Sequence, residues 1–100
     1  MIILHVSYTL KDPRQRNFFC AALAEEGVLS ATRGEEGCRE YRLFFPADRE
    51  EEAFLLEIWD DPVSMAAHKA TKQFYRLQEL KTGYVLATAV KKYELPGIAH

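Results

Sequence analysis

Three side chains that can move a proton or contact an aromatic ring occur close together near the middle of the chain. Glu57 and Trp59 belong to an otherwise apolar run, and His68 follows after a short acidic turn. Because alternate residues of a strand point to the same face, Glu57 and Trp59 are predicted to share one face, with His68 within reach on the next helix. An acid, an indole and an imidazole beside an apolar sheet form the candidate site.

His68 is the candidate catalytic base. An unperturbed imidazole has a pKa of about 6.5, so it can accept or give a proton at neutral pH. This property suits the removal of a proton from a hydroxyl group of a bound molecule. The alternative is a structural helix histidine that is hydrogen-bonded to a backbone carbonyl or to Glu57.

Glu57 is the second candidate catalytic residue, because it interrupts an apolar strand. An unpaired buried carboxylate costs several kcal/mol, or its pKa rises until the group is neutral. Glu57 can orient His68 or hold a substrate hydroxyl. It can equally be a structural acid that pairs with Arg42 on the neighbouring strand or with Lys91.

Four aromatic or imidazole side chains are candidates for substrate binding. Trp59 offers a flat surface for a ring and an N–H donor, although a core indole is an equally simple interpretation. Phe74 is a candidate for the pocket wall or the core. Tyr75 and His5 are weaker candidates, since either can be an ordinary surface residue.

The elements that must position these residues are predicted in the order β-α-β-β-α-β. Both helices begin with Asp-Pro, where the aspartate caps the first turn and the proline loses no hydrogen bond. Gly27 is predicted to kink the first helix or end it early. The predicted strands are 2–10, 38–45, 53–60 and 84–93, and the predicted helices run from Asp12-Pro13 to about Ala31 and from Asp61-Pro62 to Thr82-Gly83.

This order predicts an α+β, ferredoxin-like fold, in which two helices cover one face of a four-stranded antiparallel sheet. The first helix is expected to bury a stripe that includes Phe18, Ala22 and Leu29. The buried stripe of the second helix is predicted to be Val63, Ala67, Ala70, Phe74 and Leu77.

The second face of the sheet is also apolar. Phe54, Leu56 and Ile58 are predicted to point one way along the third strand, while Leu55 and Trp59 point the other way. A second copy of the chain, packed face to face, would cover this surface, so we expect a homodimer. The alternative is a monomer with a few exposed apolar residues.

Composition excludes several classes of protein. The 100-residue chain is short enough for one domain, and its net charge of −2 gives no electrostatic reason to expect nucleic acid or an anionic membrane. No apolar run approaches the roughly 18 residues of a membrane span, and the N-terminus has no signal-peptide pattern. Together with two cysteines expected to be reduced thiols, this predicts a cytoplasmic protein. No motif indicates a nucleotide, flavin or metal, so no cofactor is expected.

Three motifs together resemble the antibiotic biosynthesis monooxygenase domain. They are Glu36-Gly37-Cys38 at the start of a strand, Leu56-Glu57-Ile58-Trp59 before an acidic turn, and His68 followed six residues later by Phe74. The resemblance covers residues 1–95 and leaves 96–100 as a C-terminal tail. It implies a dimeric α+β barrel with an apolar pocket between sheet and helices. Members of this family include cofactor-independent monooxygenases of quinols and polyketide phenols, heme-degrading enzymes, and an enzyme that processes a phosphorylated signalling sugar.

The chain departs from this pattern at three positions. The resemblance places a tryptophan at His68 and a histidine ligand at Gln78 in heme-degrading members, so heme degradation is not favoured. A second histidine usually precedes the phenylalanine, where this chain has Gln73. Conversely, His68-Lys69-Ala70-Thr71 and the Lys91-Lys92 ending are similar to the signalling-sugar enzyme.

The resemblance and the candidate residues together predict a cofactor-independent monooxygenase that oxidises a quinol or polycyclic phenol with dioxygen. One alternative is an isomerase or processing enzyme for a phosphorylated signalling sugar. The other is a dimeric ligand-binding domain without catalytic activity.

Overall fold

Four strands and four helices form the computed structural model, which describes residues 1–96. The strands pair antiparallel in the order β2-β3-β1-β4. This confirms the predicted α+β, ferredoxin-like fold; of the predicted tail 96–100, residues 97–100 lie outside the described residues. The elements are β1 Ile2–Leu10, α1 Pro13–Glu25, α2 Val28–Arg33, β2 Cys38–Phe44, β3 Glu52–Trp59, α3 Pro62–His68, α4 Lys72–Tyr84 and β4 Val85–Glu94.

The two predicted Asp-Pro helix starts are confirmed. The Asp12 carboxylate accepts a hydrogen bond from the backbone N–H of Gln15 at 2.8 Å. Asp61 accepts one from the backbone N–H of Ser64, also at 2.8 Å. Each bond satisfies an amide that has no partner inside its own helix.

Each predicted helix is divided into two. Gly27 adopts a left-handed conformation with φ 77° and separates α1 from α2. This confirms the break in the first helix that was predicted at Gly27. The prediction of one continuous second helix was wrong, because Thr71 starts a new helix after α3 ends at His68. The Thr71 hydroxyl donates to the His68 carbonyl at 2.8 Å and accepts from the Phe74 backbone N–H at 3.2 Å.

The predicted buried stripe of the first helix was also wrong in part. Phe19, Cys20 and Leu23 are the buried side chains of α1, whereas Phe18 is 47% exposed. The guanidinium of Arg14 lies 5.4 Å from the Phe18 ring centroid, so the ring packs under a surface cation rather than in the core.

The division of the second helix changes which of its residues face the core. Val63, predicted to be buried, is 78% exposed, and Leu77 and Leu80 are the buried apolar residues of α4. A turn between α3 and α4 interrupts the helical period, so one stripe cannot continue through both.

The sheet has two distinct faces, as predicted from β3. Ala53, Leu55, Glu57 and Trp59 are buried beneath the helices, and the intervening residues of β3 are half-buried on the opposite, open face. A row of aromatic and imidazole rings crosses all four strands of this open face. Its centroid separations are 6.1 Å for Phe44 and Phe54, 5.4 Å for Phe54 and His5, and 5.1 Å for His5 and Tyr93.

The helices leave β4 largely uncovered. Every residue from Leu86 to Pro96 is exposed, although β4 is fully paired with β1 along its length. The helix-facing side of β4 therefore forms one wall of an open cleft, with α4 as the opposite wall. Within residues 1–96, no helix combines the length and apolar character needed to cross a membrane.

Candidate functional site

A cavity of about 410 Å³ lies between the helix-facing side of the sheet and the helices α3 and α4. Both apolar and ionisable side chains line it. The lining residues are Leu4, Val6, Tyr8, Glu57, Met65, His68, Lys69, Phe74, Leu77, Gln78, Lys81, Thr88, Val90 and Lys92.

His68 ends α3 and is held by aromatic rings. Only 4% of it is exposed, and its ring centroid lies 4.8 Å from that of Trp59, 5.1 Å from Phe74 and 5.8 Å from Tyr41. These contacts fix the plane of the imidazole, because a close-packed ring has little freedom to rotate.

Glu35 holds the imidazole by its Nδ1 atom. Both carboxylate oxygens of Glu35 lie 3.0 Å from His68 Nδ1, and the amide of Gln73 donates to Glu35 Oε2 at 2.9 Å. An ionised carboxylate only accepts hydrogen bonds, so Nδ1 carries the hydrogen and Nε2 keeps its lone pair. Glu35, and not Glu57, therefore orients the imidazole; that leaves the second alternative for Glu57, a hydrogen bond to a substrate hydroxyl.

The Nε2 atom of His68 forms no hydrogen bond with residues 1–96, whereas Nδ1 bonds to Glu35. His68 lines the cavity, so a molecule bound there contacts this residue. A neutral imidazole with its hydrogen on Nδ1 accepts a proton at Nε2.

Glu57 also lines the cavity, but its hydrogen bond goes to Trp59. The indole N–H donates to Glu57 Oε1 at 3.0 Å, and only 8% of Glu57 is exposed. Burial raises the pKa of Glu57, and the indole hydrogen bond and the nearby His68 oppose this rise in part. A raised pKa favours the protonated acid, which can donate a hydrogen bond to a ligand oxygen.

The predicted structural partners of Glu57 lie elsewhere. Arg42 forms an ion pair with Glu40 at 3.2 Å, and its position opposite Leu56 in β3 places it on the open face. Lys91 lies opposite His5 and therefore also belongs to the open face. Neither residue can pair with Glu57, because the sheet separates them.

Trp59 packs behind the site rather than along its wall. It is fully buried, does not line the cavity, and lies under the imidazole with an interplanar angle of 33°. Its position supports His68 and Glu57, and a ligand in the cavity would not reach the indole face.

Of the other substrate-binding candidates, the structure brings only Phe74 to the cavity. Tyr75, the next residue of α4, is 59% exposed and does not line it. His5 lies on the open face of the sheet between the rings of Phe54 and Tyr93. The site therefore contains Glu57, His68 and Phe74 from the predicted set, with Trp59 in support.

A second depression, of about 460 Å³, lies beside the edge strand β2, where its arginines already have partners. Arg33 donates to the Tyr41 carbonyl at 2.8 Å, Arg39 pairs with Asp60, and Arg42 pairs with Glu40. We assign the functional site to the 410 Å³ cavity, because it is lined by Glu57 and by His68, the hydrogen-bond partner of Glu35.

The described residues offer neither a metal site nor a reactive thiol. Residues 1–96 contain no group of three or more histidine, cysteine, aspartate or glutamate side chains placed to hold a metal ion. Cys20 and Cys38 form no disulfide, and burial raises the pKa of each thiol to about 11. Both thiols are protonated at neutral pH and are poor nucleophiles.

The fold and the site together place the chain among known proteins. Residues 1–80 match the family model described as antibiotic biosynthesis monooxygenase, and the chain belongs to this family. A Bacillus subtilis (strain 168) protein named "Putative monooxygenase YcnE" is 30% identical over 74 residues, which is 74% of this chain and 75% of that protein.

Solved structures confirm the fold. A Deinococcus radiodurans protein described as a "putative antibiotic biosynthesis monooxygenase" superimposes with a TM-score of 0.84 and 20% identity, covering 100% of this chain and 97% of that one. Rv0793 from Mycobacterium tuberculosis superimposes with a TM-score of 0.79 and 21% identity over the full length of both chains. At sequence identities this low, the likeness shows that the fold is shared and does not show that the reaction is the same.

Proposed function

We propose that this protein is a cofactor-independent monooxygenase that oxidises a quinol or polycyclic phenol with dioxygen in the 410 Å³ cavity. Membership of the monooxygenase family makes an oxidoreductase the natural class. The observation that carries the proposal is the Glu35–His68 pair, in which Glu35 binds Nδ1 of a buried imidazole that lines the cavity and Nε2 has no partner among residues 1–96.

The first step in this mechanism is removal of a proton from a substrate hydroxyl by His68 Nε2. Glu35 then stabilises the imidazolium through its hydrogen bond at Nδ1, the arrangement that also supports the histidine of hydrolase triads. Because His68 is buried among aromatic rings, the lower local dielectric strengthens this charge interaction.

The second step uses electrons of the substrate itself. The quinol anion gives one electron to dioxygen, and the resulting radical pair forms a carbon–oxygen bond at a ring carbon that carries hydrogen. The oxygen–oxygen bond then breaks, so that one oxygen atom stays on the ring and the other leaves as water. Quinol plus dioxygen gives hydroxyquinone plus water, a four-electron oxidation of the ring that needs no external reductant.

Glu57 has a separate role in this proposal. With a raised pKa it can act as a hydrogen-bond donor to the second oxygen of the substrate. The bond from Trp59 occupies Oε1 and leaves Oε2 for the ligand. Two oxygens of a quinol would then be bound by two different residues, one accepting and one donating a proton.

A phosphorylated sugar is the second candidate substrate. Lys69 and Lys92 line the cavity, so two of the three lysines in the segments that resemble the signalling-sugar enzyme are present there and can attract phosphate. The largely apolar middle of the cavity favours an aromatic molecule instead.

The homodimer is part of the proposal. The ring row on the open face forms an aromatic surface that a second copy would cover, and β4 is exposed beside it. Such a partner would also lie next to the open side of the cleft and could close it.

The test is oxygen uptake with menadiol under ¹⁸O₂, followed by mass analysis of the product. We expect a hydroxylated menadione that carries one ¹⁸O atom, whereas uncatalysed oxidation gives menadione without added oxygen. His68→Gln should lower the rate by about 10²–10⁴-fold, as expected for loss of a general base. An unlabelled product at the no-protein rate, unaffected by His68→Gln, would contradict the proposal.

A further inference from the structure

We propose that the substrate carries an anionic group at the end opposite to its reacting hydroxyl, and that Lys81 binds this group. The inference rests on the proposed function and names the class of substrate more closely. The expected ligand is a fused aromatic phenol with a carboxylate, or another single acid, on its distal ring.

The cavity has two chemically different ends. Leu4 of β1 lies opposite Glu57, and Tyr8 of β1 lies opposite Thr88. Four residues of strand separate these positions, which is about 13 Å at 3.3–3.4 Å per residue. Glu57 marks the reactive end near His68, and Tyr8 marks the distal end.

Lys81 belongs to the distal end. Its ammonium nitrogen lies 5.4 Å from the centroid of the Tyr8 ring. Along α4 it follows Phe74, which contacts His68, by seven residues, or about 10 Å at 1.5 Å per residue. The strand and the helix therefore give the same order along the cavity, with the imidazole at one end and the ammonium at the other.

The ammonium of Lys81 is available to a ligand. It is half-buried, and burial lowers its pKa because the charged form loses water. None of the ion pairs within residues 1–96 includes Lys81, whereas Lys92 pairs with Glu94 at 3.2 Å. A bound anion would offset the cost of burying this ammonium.

The remaining charges of the cavity do not cancel this attraction. Glu57 is the acid that lines the cavity, and its raised pKa reduces its negative charge. Lys69, which directly follows His68 in the chain and also lines the cavity, adds a further positive charge. An anion is therefore favoured in the cavity, and the partly buried Lys81 is the lysine best placed to fix its position.

The middle of the cavity sets the shape of the ligand. Val6, Leu77 and Val90 lie between the two ends and offer no charged group. Two or three fused rings would fill this length and place a hydroxyl at one end and an acid at the other.

Binding measured by calorimetry tests this assignment without any oxidation step. The probes are 6-hydroxy-2-naphthoate, with hydroxyl and carboxylate at opposite ends, 3-hydroxy-2-naphthoate, with the two adjacent, and uncharged 2-naphthol. We expect the 6-hydroxy isomer to bind about tenfold or more tightly than either other probe, the usual effect of a hydrogen bond to a charged group. Lys81→Gln should remove this preference, and the matched control Lys72→Gln, elsewhere on α4, should retain it.

Equal affinity for the three probes, or a preference that survives in Lys81→Gln, would overturn the assignment. Tighter binding of ribose 5-phosphate than of 6-hydroxy-2-naphthoate would overturn it in favour of a sugar phosphate. The outcome is separate from that of the proposed function, because binding is measured with phenols and turnover with menadiol. Selective binding of the 6-hydroxy isomer would support the anion site whether or not menadiol is oxidised, and oxidation of menadiol without that selectivity would support the monooxygenase alone.

Discussion

Two glutamates lie on either side of His68, and their surroundings give them different properties. Glu35 accepts hydrogen bonds from two side chains, the imidazole Nδ1 of His68 and the amide of Gln73. Glu57 accepts one hydrogen bond, from an indole, and its pKa is raised mainly by burial. One acid is therefore suited to hold a positive imidazolium, and the other is suited to remain protonated beside a ligand.

Glu35→Gln should change the tautomer of His68 and slow the proposed reaction. A neutral amide no longer favours the Nδ1–H tautomer strongly, so part of the population should carry the hydrogen on Nε2. ¹⁵N NMR of the imidazole should show this change, and kcat for quinol oxidation should fall by about tenfold or more. The exposed neighbour Glu36→Gln is the matched control. An unchanged tautomer in Glu35→Gln would exclude Glu35 as the positioning residue.

Glu57→Gln should stabilise the protein at neutral pH. Because the pKa of Glu57 is higher in the folded than in the unfolded protein, its burial costs free energy once the pH exceeds the unfolded value of about 4.3. Glutamine is neutral at every pH and can still accept the Trp59 hydrogen bond. We expect a gain of about 1–3 kcal/mol at pH 8 that disappears as the pH falls to about 4.

Urea unfolding at pH 4, 6 and 8 measures this effect, with exposed Glu25→Gln as the control. A gain that is the same at all three pH values would mean that the charge of Glu57 costs nothing in the folded protein.

Sequence alone predicted part of this site, and the geometry of strands explains which part. Strand alternation places Glu57 and Trp59 on one face, and helix placement brings His68 above them. Glu35 could not be found this way, because it contacts a residue 33 positions away from a turn with no regular period. The one signal in the sequence was the family motif Glu36-Gly37-Cys38. Glu35 is the residue directly before this motif, so the motif did not include it.

The turn before β2 determines how this strand and the helix α3 meet. Gly37 has φ 80°, and its carbonyl accepts from the backbone N–H of Asp60 at 2.8 Å. A Cβ at Gly37 would overlap the side chain of Ser64 in the first turn of α3. Since Glu35 precedes this turn and His68 ends α3, Gly37 keeps the two residues within hydrogen-bond distance.

Gly37→Ala should destabilise the protein by about 3 kcal/mol, from the left-handed backbone and the overlap with Ser64 together. Gly83→Ala is the contrasting control, because Gly83 lies within α4 and a Cβ there meets no atom within 4 Å. This control should gain about 0.5–1 kcal/mol. Urea unfolding measures both, and a Gly37→Ala variant as stable as the wild type would contradict the close approach of Gly37 to Ser64.

The two breaks between helices differ in how well the sequence predicts them. Gly27 was visible as a break because glycine is costly inside a helix. The break before Thr71 was missed because Lys69-Ala70-Thr71 contains neither glycine nor proline. Threonine is nevertheless a good N-cap residue, and its hydroxyl takes this role for α4.

At the scale of the whole molecule, the helix layer is too narrow for the sheet. A domain of 100 residues buries only about two-thirds of its surface. Here the uncovered part is concentrated on β4 and on the open face of the sheet. A second copy placed there would complete the core in a way that the single chain does not.

Leu56→Glu should therefore convert the proposed dimer to a monomer. Leu56 lies between His5 and Arg42 in the register of the open face, so a glutamate there would be buried between two copies. In the single chain the same glutamate would reach water, so the fold should persist. Val63→Glu adds the same charge at a residue that is 78% exposed on α3 and should leave the dimer intact. Sedimentation velocity should give twice the 11.5 kDa chain mass for the wild type and Val63→Glu, and one chain mass for Leu56→Glu. A wild-type protein that sediments as one chain at every concentration would contradict the dimer.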